Sequence, residues 1–172
     1  MKKKQIILVL IIIVIGIVAI VYFTSKNKPE TIINSTPKQE EPTFTKQGEL
    51  SFISSANKKI INTISIEFAK DEYSREKGLM YRRNMDEMQG MLFLFEEAAP
   101  RSFWMKNTYI SLDIIYISAD KKIVSIQKSA IPLSEESLPS YKDAMYVLEV
   151  NSGFTDKYNI KEGDEINYSF LK

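Results

Sequence analysis

Eighteen consecutive uncharged residues, Ile6 to Phe23, follow Lys2, Lys3 and Lys4. As an α-helix at about 1.5 Å per residue this run is roughly 27 Å long, close to the hydrocarbon thickness of a bilayer. A cleaved signal peptide has a shorter apolar stretch, about 7–15 residues, and a small-x-small cleavage site. Here the run ends in Tyr22-Phe23-Thr24-Ser25. Residues 1–23 therefore read as an uncleaved N-terminal transmembrane helix. Lipid attachment through cysteine is excluded, because the chain has none. The lysines and the amino group at the start outweigh Lys26 and Lys28, which predicts a cytoplasmic N-terminus, a single pass through the cell membrane and an extracytoplasmic remainder.

From Thr24 to Gln47 the composition turns to Lys, Glu, Thr, Ser, Asn and Gln, and Pro29, Pro37 and Pro42 fall in this stretch. Its few apolar residues cannot offset the entropy of ordering it, so residues 24–47 read as a disordered tether. The remainder, 48–172, is long enough for one domain with one core. Acidic residues slightly outnumber basic ones there, and no basic patch points to nucleic acid.

Period-2 patterning dominates this domain. Ile60, Ile64, Ile66 and Phe68 share one face against Thr63, Ser65 and Glu67, which predicts a half-buried strand. Met91 to Phe95 is apolar on both faces and short, as in a central strand. Leu112 to Ile117 and Ile123 to Gln127 predict a hairpin through Ser118–Lys122, and Ala144 to Val150 and Glu165 to Phe170 add two strands. Leu50 to Ser54 is a weaker seventh. Asp71 is placed to cap a short helix ending at Gly78, and a second begins at Gly153, with Phe154 and Tyr158 one turn apart. The expected class is α+β, mainly β: a small antiparallel sheet or barrel with two short helices, preceded by the transmembrane helix.

The chain contains no cysteine and no histidine. Thiol chemistry, Ser-His-Asp triads and histidine-based zinc sites are thereby excluded, and any catalysis falls to carboxylates, Lys, Tyr, Ser or Thr. Glu67, Asp71, Asp113 and Glu149 are the acids from which a hydrolytic carboxylate couple would be drawn. Met85, Met88 and Met91, with Met80 and Met105, have a spacing that soft copper(I) ligation would use, but methionine is an ordinary gap-filler and no metal or cofactor is expected.

Gly78-Leu79-Met80-Tyr81-Arg82, Gly90-Met91-Leu92-Phe93 and Ser102-Phe103-Trp104-Met105-Lys106-Asn107-Thr108, followed by Leu112-Asp113-Ile114-Ile115, resemble the DUF192 family of uncharacterised bacterial and archaeal proteins. The likeness continues through Val147-Leu148-Glu149 and Gly163-Asp164. It implies a compact, β-rich domain, frequently exported or membrane-tethered, and no established activity. Where such proteins commonly carry Asp-Gly in the central hairpin this chain has Asp120-Lys121, which predicts a longer loop in place of a tight turn with positive φ.

Strand alternation puts Asp113 on the face of Ile115 and Ile117, where a lone carboxylate is costly, and Arg82 and Lys106 are the cations expected to pair with it. One reading makes Tyr81, Arg82, Trp104, Lys106, Asn107, Thr108 and Asp113 a ligand pocket: the cations supply charge, Asn107 and Thr108 hydrogen bonds, and Trp104 a stacking surface. The plainer reading makes Arg82, Lys106 and Asp113 a structural ion pair and Trp104 a core side chain, and core is the expectation for Trp104. The functional expectation is a non-catalytic module binding a small molecule, glycan or protein partner. A carboxylate-dependent hydrolase with Asp113 as its reactive acid and a purely structural interaction domain are the alternatives.

Overall fold

The computed structural model describes residues 3–26 and 41–171, the side chains of residues 4–12, 24 and 26 excepted. Helix α1 spans Lys3–Lys26. Among the described residues no helix is long and apolar enough to cross a membrane. The first part of the expected anchor, residues 6–12, falls outside the described side chains. Most of the expected tether, residues 27–40, likewise lies outside the described residues. Its last part, residues 41–47, differs from the expectation: Glu41 accepts from the Arg83 amide at 2.9 Å, Thr45 donates to Glu67, and Gln47 bonds to both Ile66 and Phe68. Hydrogen bonds to β2 and to the segment after α2 supply there what apolar burial does not.

The domain is built from β1 (Gly48–Ile53), β2 (Ile60–Ala69), α2 (Glu72–Lys77), β3 (Gln89–Phe103), β4 (Leu112–Ile117), β5 (Ile123–Ala130), β6 (Leu138–Asn151), α3 (Phe154–Lys157) and β7 (Glu165–Phe170). The seven strands form one sheet in the order β5-β4-β6-β3-β2-β1-β7. Its two edges meet: Lys122 bridges Glu165, and the Ile123 and Ile166 amides donate to Asp164 and Lys121. The sheet thus curls into a barrel-like form, which removes exposed edges where other chains would pair. Every neighbouring pair is antiparallel except β2 and β3, which are parallel.

That exception positions the site. Parallel neighbours cannot be joined by a hairpin and need a crossover of a dozen or more residues. Here the crossover carries α2 and the segment after it onto the outer face of the sheet. Leu79 from the crossover and Met105 from the loop after β3 pack there on Met91, Phe93, Ile114, Tyr116 and Val147. The opposite face encloses Leu50, Phe52, Ile64, Ile66, Phe68, Leu92, Ile115 and Leu148. With both faces covered, Met91–Phe93 is apolar throughout, as expected of a central strand. Ile60 departs from the expected face and is 66% exposed, because it begins the strand at the rim.

Both short helices stand where their caps predict. Asp71 and Ser74 close a reciprocal capping box on α2, and Gly78 at φ +45° ends it. The Phe154 and Tyr158 rings lie 4.7 Å apart on α3. The β4–β5 hairpin corrects the expectation of a longer loop: Lys121 takes φ +62° and donates to Ser118 across a tight turn. The lysine adopts the conformation glycine favours because strand pairing on either side leaves no room for slack. Ser118 Oγ accepting from the Lys122 amide adds to the closure.

Asp113 faces inward as expected, but its partners are not cations. Its Oδ1 accepts from the Ser129 and Gly153 amides at 3.0 and 3.2 Å, and its Oδ2 from the amide and hydroxyl of Thr155 at 3.0 and 2.7 Å. The carboxylate is fully buried and joins β4, the end of β5 and the start of α3. Four donors satisfy it without a salt bridge. Replacing it leaves those donors buried and unmatched, so Asp113→Ala is expected to lower unfolding free energy by about 4 kcal/mol in urea denaturation. A loss near zero would show that α3 docks without this link.

Candidate functional site

The residues expected to form one pocket do not converge on one. Arg82 is 5% exposed and pairs with Glu67, not with Asp113. Its Nε has no acceptor. Tyr81 and Asn107 clasp two loops together: the Tyr81 amide donates to the Asn107 carbonyl at 2.8 Å, and the Asn107 amide group donates to the Tyr81 hydroxyl at 3.1 Å. Both adopt positive φ, Tyr81 at 67° and Asn107 at 55°, which fits a junction fixed by its hydrogen bonds. Trp104 and Thr108 are the expected site residues that line the cleft between α2 and the end of β3.

Trp104 corrects the expectation of a core tryptophan. It is 45% exposed, with Lys106 Nζ 4.8 Å from the ring centroid. The apolar neighbours that suggested a core position belong to Met105, which points inward and is fully buried. Adjacent residues leaving a strand end point to opposite sides, so one of the pair had to face out. Lys106 pairs with no carboxylate among the described residues and lies over the indole instead.

The cleft has a volume of about 300 Å³ and lies between α2 and the end of β3. Phe93, Phe95, Phe103 and Trp104 give it aromatic walls, and Leu79, Met80 and Thr108 close one side. Gly78 admits it to the sheet, since a Cβ there would sit 3.1 Å from the Phe93 ring. Four charged side chains of α2, Glu72, Arg75, Glu76 and Lys77, line its mouth with both signs present.

Glu149 lies in the lining of the same cleft. Strand register sets Glu67, Met91 and Glu149 side by side across β2, β3 and β6, so both acids project to the outer face beneath the crossover. Arg82 comes down from the crossover and bonds to Glu67. Glu149 is 5% exposed and accepts no hydrogen bond from any described residue. Burial pushes its carboxyl up to about 8, with Arg82 opposing the rise more weakly. At neutral pH the group is therefore a neutral acid, able to donate from one oxygen and accept at the other.

Sequence reasoning named Glu149 only as one acid among four. A lone carboxyl within the apolar run Val147–Val150 was the available signal. Asp71 and Asp113 are both engaged at helix N-termini, and Glu67 is held by Arg82. The methionines scatter: Met91 and Met85 pack on the outer face and Met88 on the inner cluster. Among the described residues no group of three acidic side chains converges on a metal position.

Glu149 makes stability depend on pH in a definite direction. Between its ordinary value near 4.5 and about 8, the folded domain holds a proton that the unfolded chain has released. Stability must therefore fall as pH rises through that window, by on the order of 5 kcal/mol in total. Urea denaturation between pH 5 and 9 is expected to show this decline (in about that range), and Glu149→Gln to flatten it. An unchanged slope in Glu149→Gln would assign the dependence elsewhere.

Residues 52–168 match the family model DUF192, described as Uncharacterized ACR. Comparison with the curated proteins finds no match. A crystal structure from Sinorhizobium meliloti 1021, described as that of a "putative transcription regulator", is 37% identical with a TM-score of 0.68, over 75% of this chain and 98% of the other. A protein of unknown function from Novosphingobium aromaticivorans DSM 12444 is 31% identical with a TM-score of 0.65, over 69% of this chain and 83% of the other. The match spans both halves of the cleft, the Gly78–Arg82 crossover and the Ser102–Thr108 loop, and the chain belongs to the DUF192 family.

Proposed function

We propose that the domain is a non-catalytic binding module, held outside the cytoplasm by its N-terminal helix, whose aromatic cleft takes a small uncharged ligand on Glu149. The observation that carries the reading is a buried carboxyl with no hydrogen-bond partner at the base of an open cleft. A structural role would pair that group, as Asp113 and Glu67 are paired, because a buried polar group without a partner costs about 1–3 kcal/mol. The mixed charges at the mouth create no field of one sign, which favours neutral ligands over ions. A hydrolase built on Asp113 is disfavoured, since its carboxylate is fully buried and occupied by four donors. The regulator description of the S. meliloti structure is not carried over, because the domain has a slight acidic excess and no basic patch.

Support for the tether comes from the sequence. The uncharged run Ile6–Phe23 falls within α1, and the lysines before it favour a cytoplasmic start. In intact cells with a permeable outer layer, added protease is expected to degrade the domain, and the full chain to stay with membranes through alkaline carbonate. Release by carbonate, or protection from protease until lysis, would contradict the placement.

Ligand binding is tested with a library of small neutral amides, alcohols and ethers added to the full-length protein in detergent. Trp104 is the only tryptophan, so its indole N–H is a single NMR reporter beside the cleft. Neutral amides are expected to shift it at about millimolar concentrations, and Glu149→Leu to abolish the shift. An indole resonance unmoved by every compound would contradict a ligand cleft.

A further inference from the structure

The cleft does not end at Trp104. On its far side lies a second depression of about 180 Å³, lined by Ser102, Phe103, Trp104, Glu135 and Ser137. Ser102, Phe103 and Trp104 line both depressions, so the two are continuous at the indole. The walls change character there. Below its charged mouth the larger cleft is mainly aromatic with Glu149 at its base, and the smaller one adds Ser137 and Glu135 to the shared Ser102. Ser102 and Ser137 hydroxyls bond to each other at 2.7 Å and retain capacity for a further partner.

Three requirements on an occupant follow. It must have a flat apolar face, because a half-exposed indole gives up most by stacking on one. It must be long enough to cross Trp104 and polar enough to use hydroxyls beyond it. At Glu149 it must present an acceptor, since a neutral carboxyl donates through its O–H. An amide carbonyl is a stronger neutral acceptor than a hydroxyl oxygen, so a carboxamide meets this requirement better than an alcohol does.

Resting on the binding reading above, we propose that the two depressions form one groove for a chain of N-acylated amino sugars. An acetamido group sits against Glu149, and a neighbouring ring stacks on Trp104 and reaches Ser102, Ser137 and Glu135. Pyranose rings have an apolar face of C–H groups and a polar edge, which matches an indole flanked by hydroxyls. Thr108, buried in the same lining, adds an acceptor oxygen for the amide N–H, which points away from the carbonyl in a trans amide.

The test uses the full-length protein in detergent, with Trp104 emission as the signal. β1,4-Linked N-acetylglucosamine oligomers of one to four residues are compared with glucose oligomers of the same linkage and length. The N-acetylated series is expected to give a saturable change, with affinity rising about tenfold from one residue to three. The glucose series should bind at least about tenfold more weakly, as expected where a buried polar group loses its partner. At pH 9, where Glu149 is ionised, wild-type affinity should drop by about tenfold while Glu149→Gln, which keeps a donor beside an acceptor, does not drop.

Equal affinity for the two series overturns the acetamido assignment. A chain-length dependence that is flat overturns the groove across Trp104. If no sugar changes the emission while neutral amides still move the indole N–H, the glycan class is wrong and the cleft stands as a binding site. If neither has an effect, both this inference and the reading beneath it fail.

Discussion

Because β2 and β3 run parallel, the chain between them cannot turn back as a hairpin and has to cross a face of the sheet. That crossing covers what would otherwise be a solvent face, and it delivers Leu79 and Arg82 onto β2, β3 and β6. A second cover, the loop after β3, comes down beside it and is clasped to it by Tyr81 and Asn107. The cleft is the gap these two covers leave. Its position is therefore a consequence of topology, and its aromatic walls come from β3 and the first residue of the loop that follows it.

Charge balance under the covers explains why Glu149 is unusual. Two carboxyls on either side of Met91, from β2 and β6, share the neighbourhood of one guanidinium, and hydrogen-bond geometry gives that guanidinium to Glu67. A second ionised carboxylate would have to be buried without a partner, which costs far more than holding a proton. The proton stays, and the burial that raises Glu149 to about 8 also depresses ionisation of its neighbour Tyr116, whose hydroxyl donates to the Leu138 carbonyl. The outer core thus tolerates polar atoms by pairing Arg82 with Glu67 and keeping Glu149 and Tyr116 neutral. Asp113 solves the same problem differently on the inner face, by collecting backbone and hydroxyl donors.

Much of the strand inventory was legible because burial on one face enforces alternation, and the caps Asp71 and Gly153 were legible from local chemistry. What failed was everything set by partners distant in sequence. Alternation put Asp113 on the correct face, but nothing within a strand says that Thr155 would meet it in place of Arg82 or Lys106. Strands β3 and β6 run well beyond the apolar segments that announced them, because Glu96–Ser102 and Leu138–Asp143 pair through backbone with little burial. Period-2 patterning also carries no information on strand direction, so the parallel pair and the crossover it forces were not readable. Of the expected site, Trp104 and Thr108 line the cleft, Tyr81 and Asn107 hold its loops together, and Arg82 sits beneath it; Asp113 belongs elsewhere.

The central claim is that Glu149 is a neutral acid open to the cleft at physiological pH. Its side-chain carboxyl carbon, followed by carbon NMR in selectively labelled protein, measures this directly. The account predicts a single titration near pH 8 that moves when a neutral amide occupies the cleft. A midpoint near the ordinary glutamate value of about 4.3 would show an ionised, solvated carboxylate at neutral pH and would contradict it.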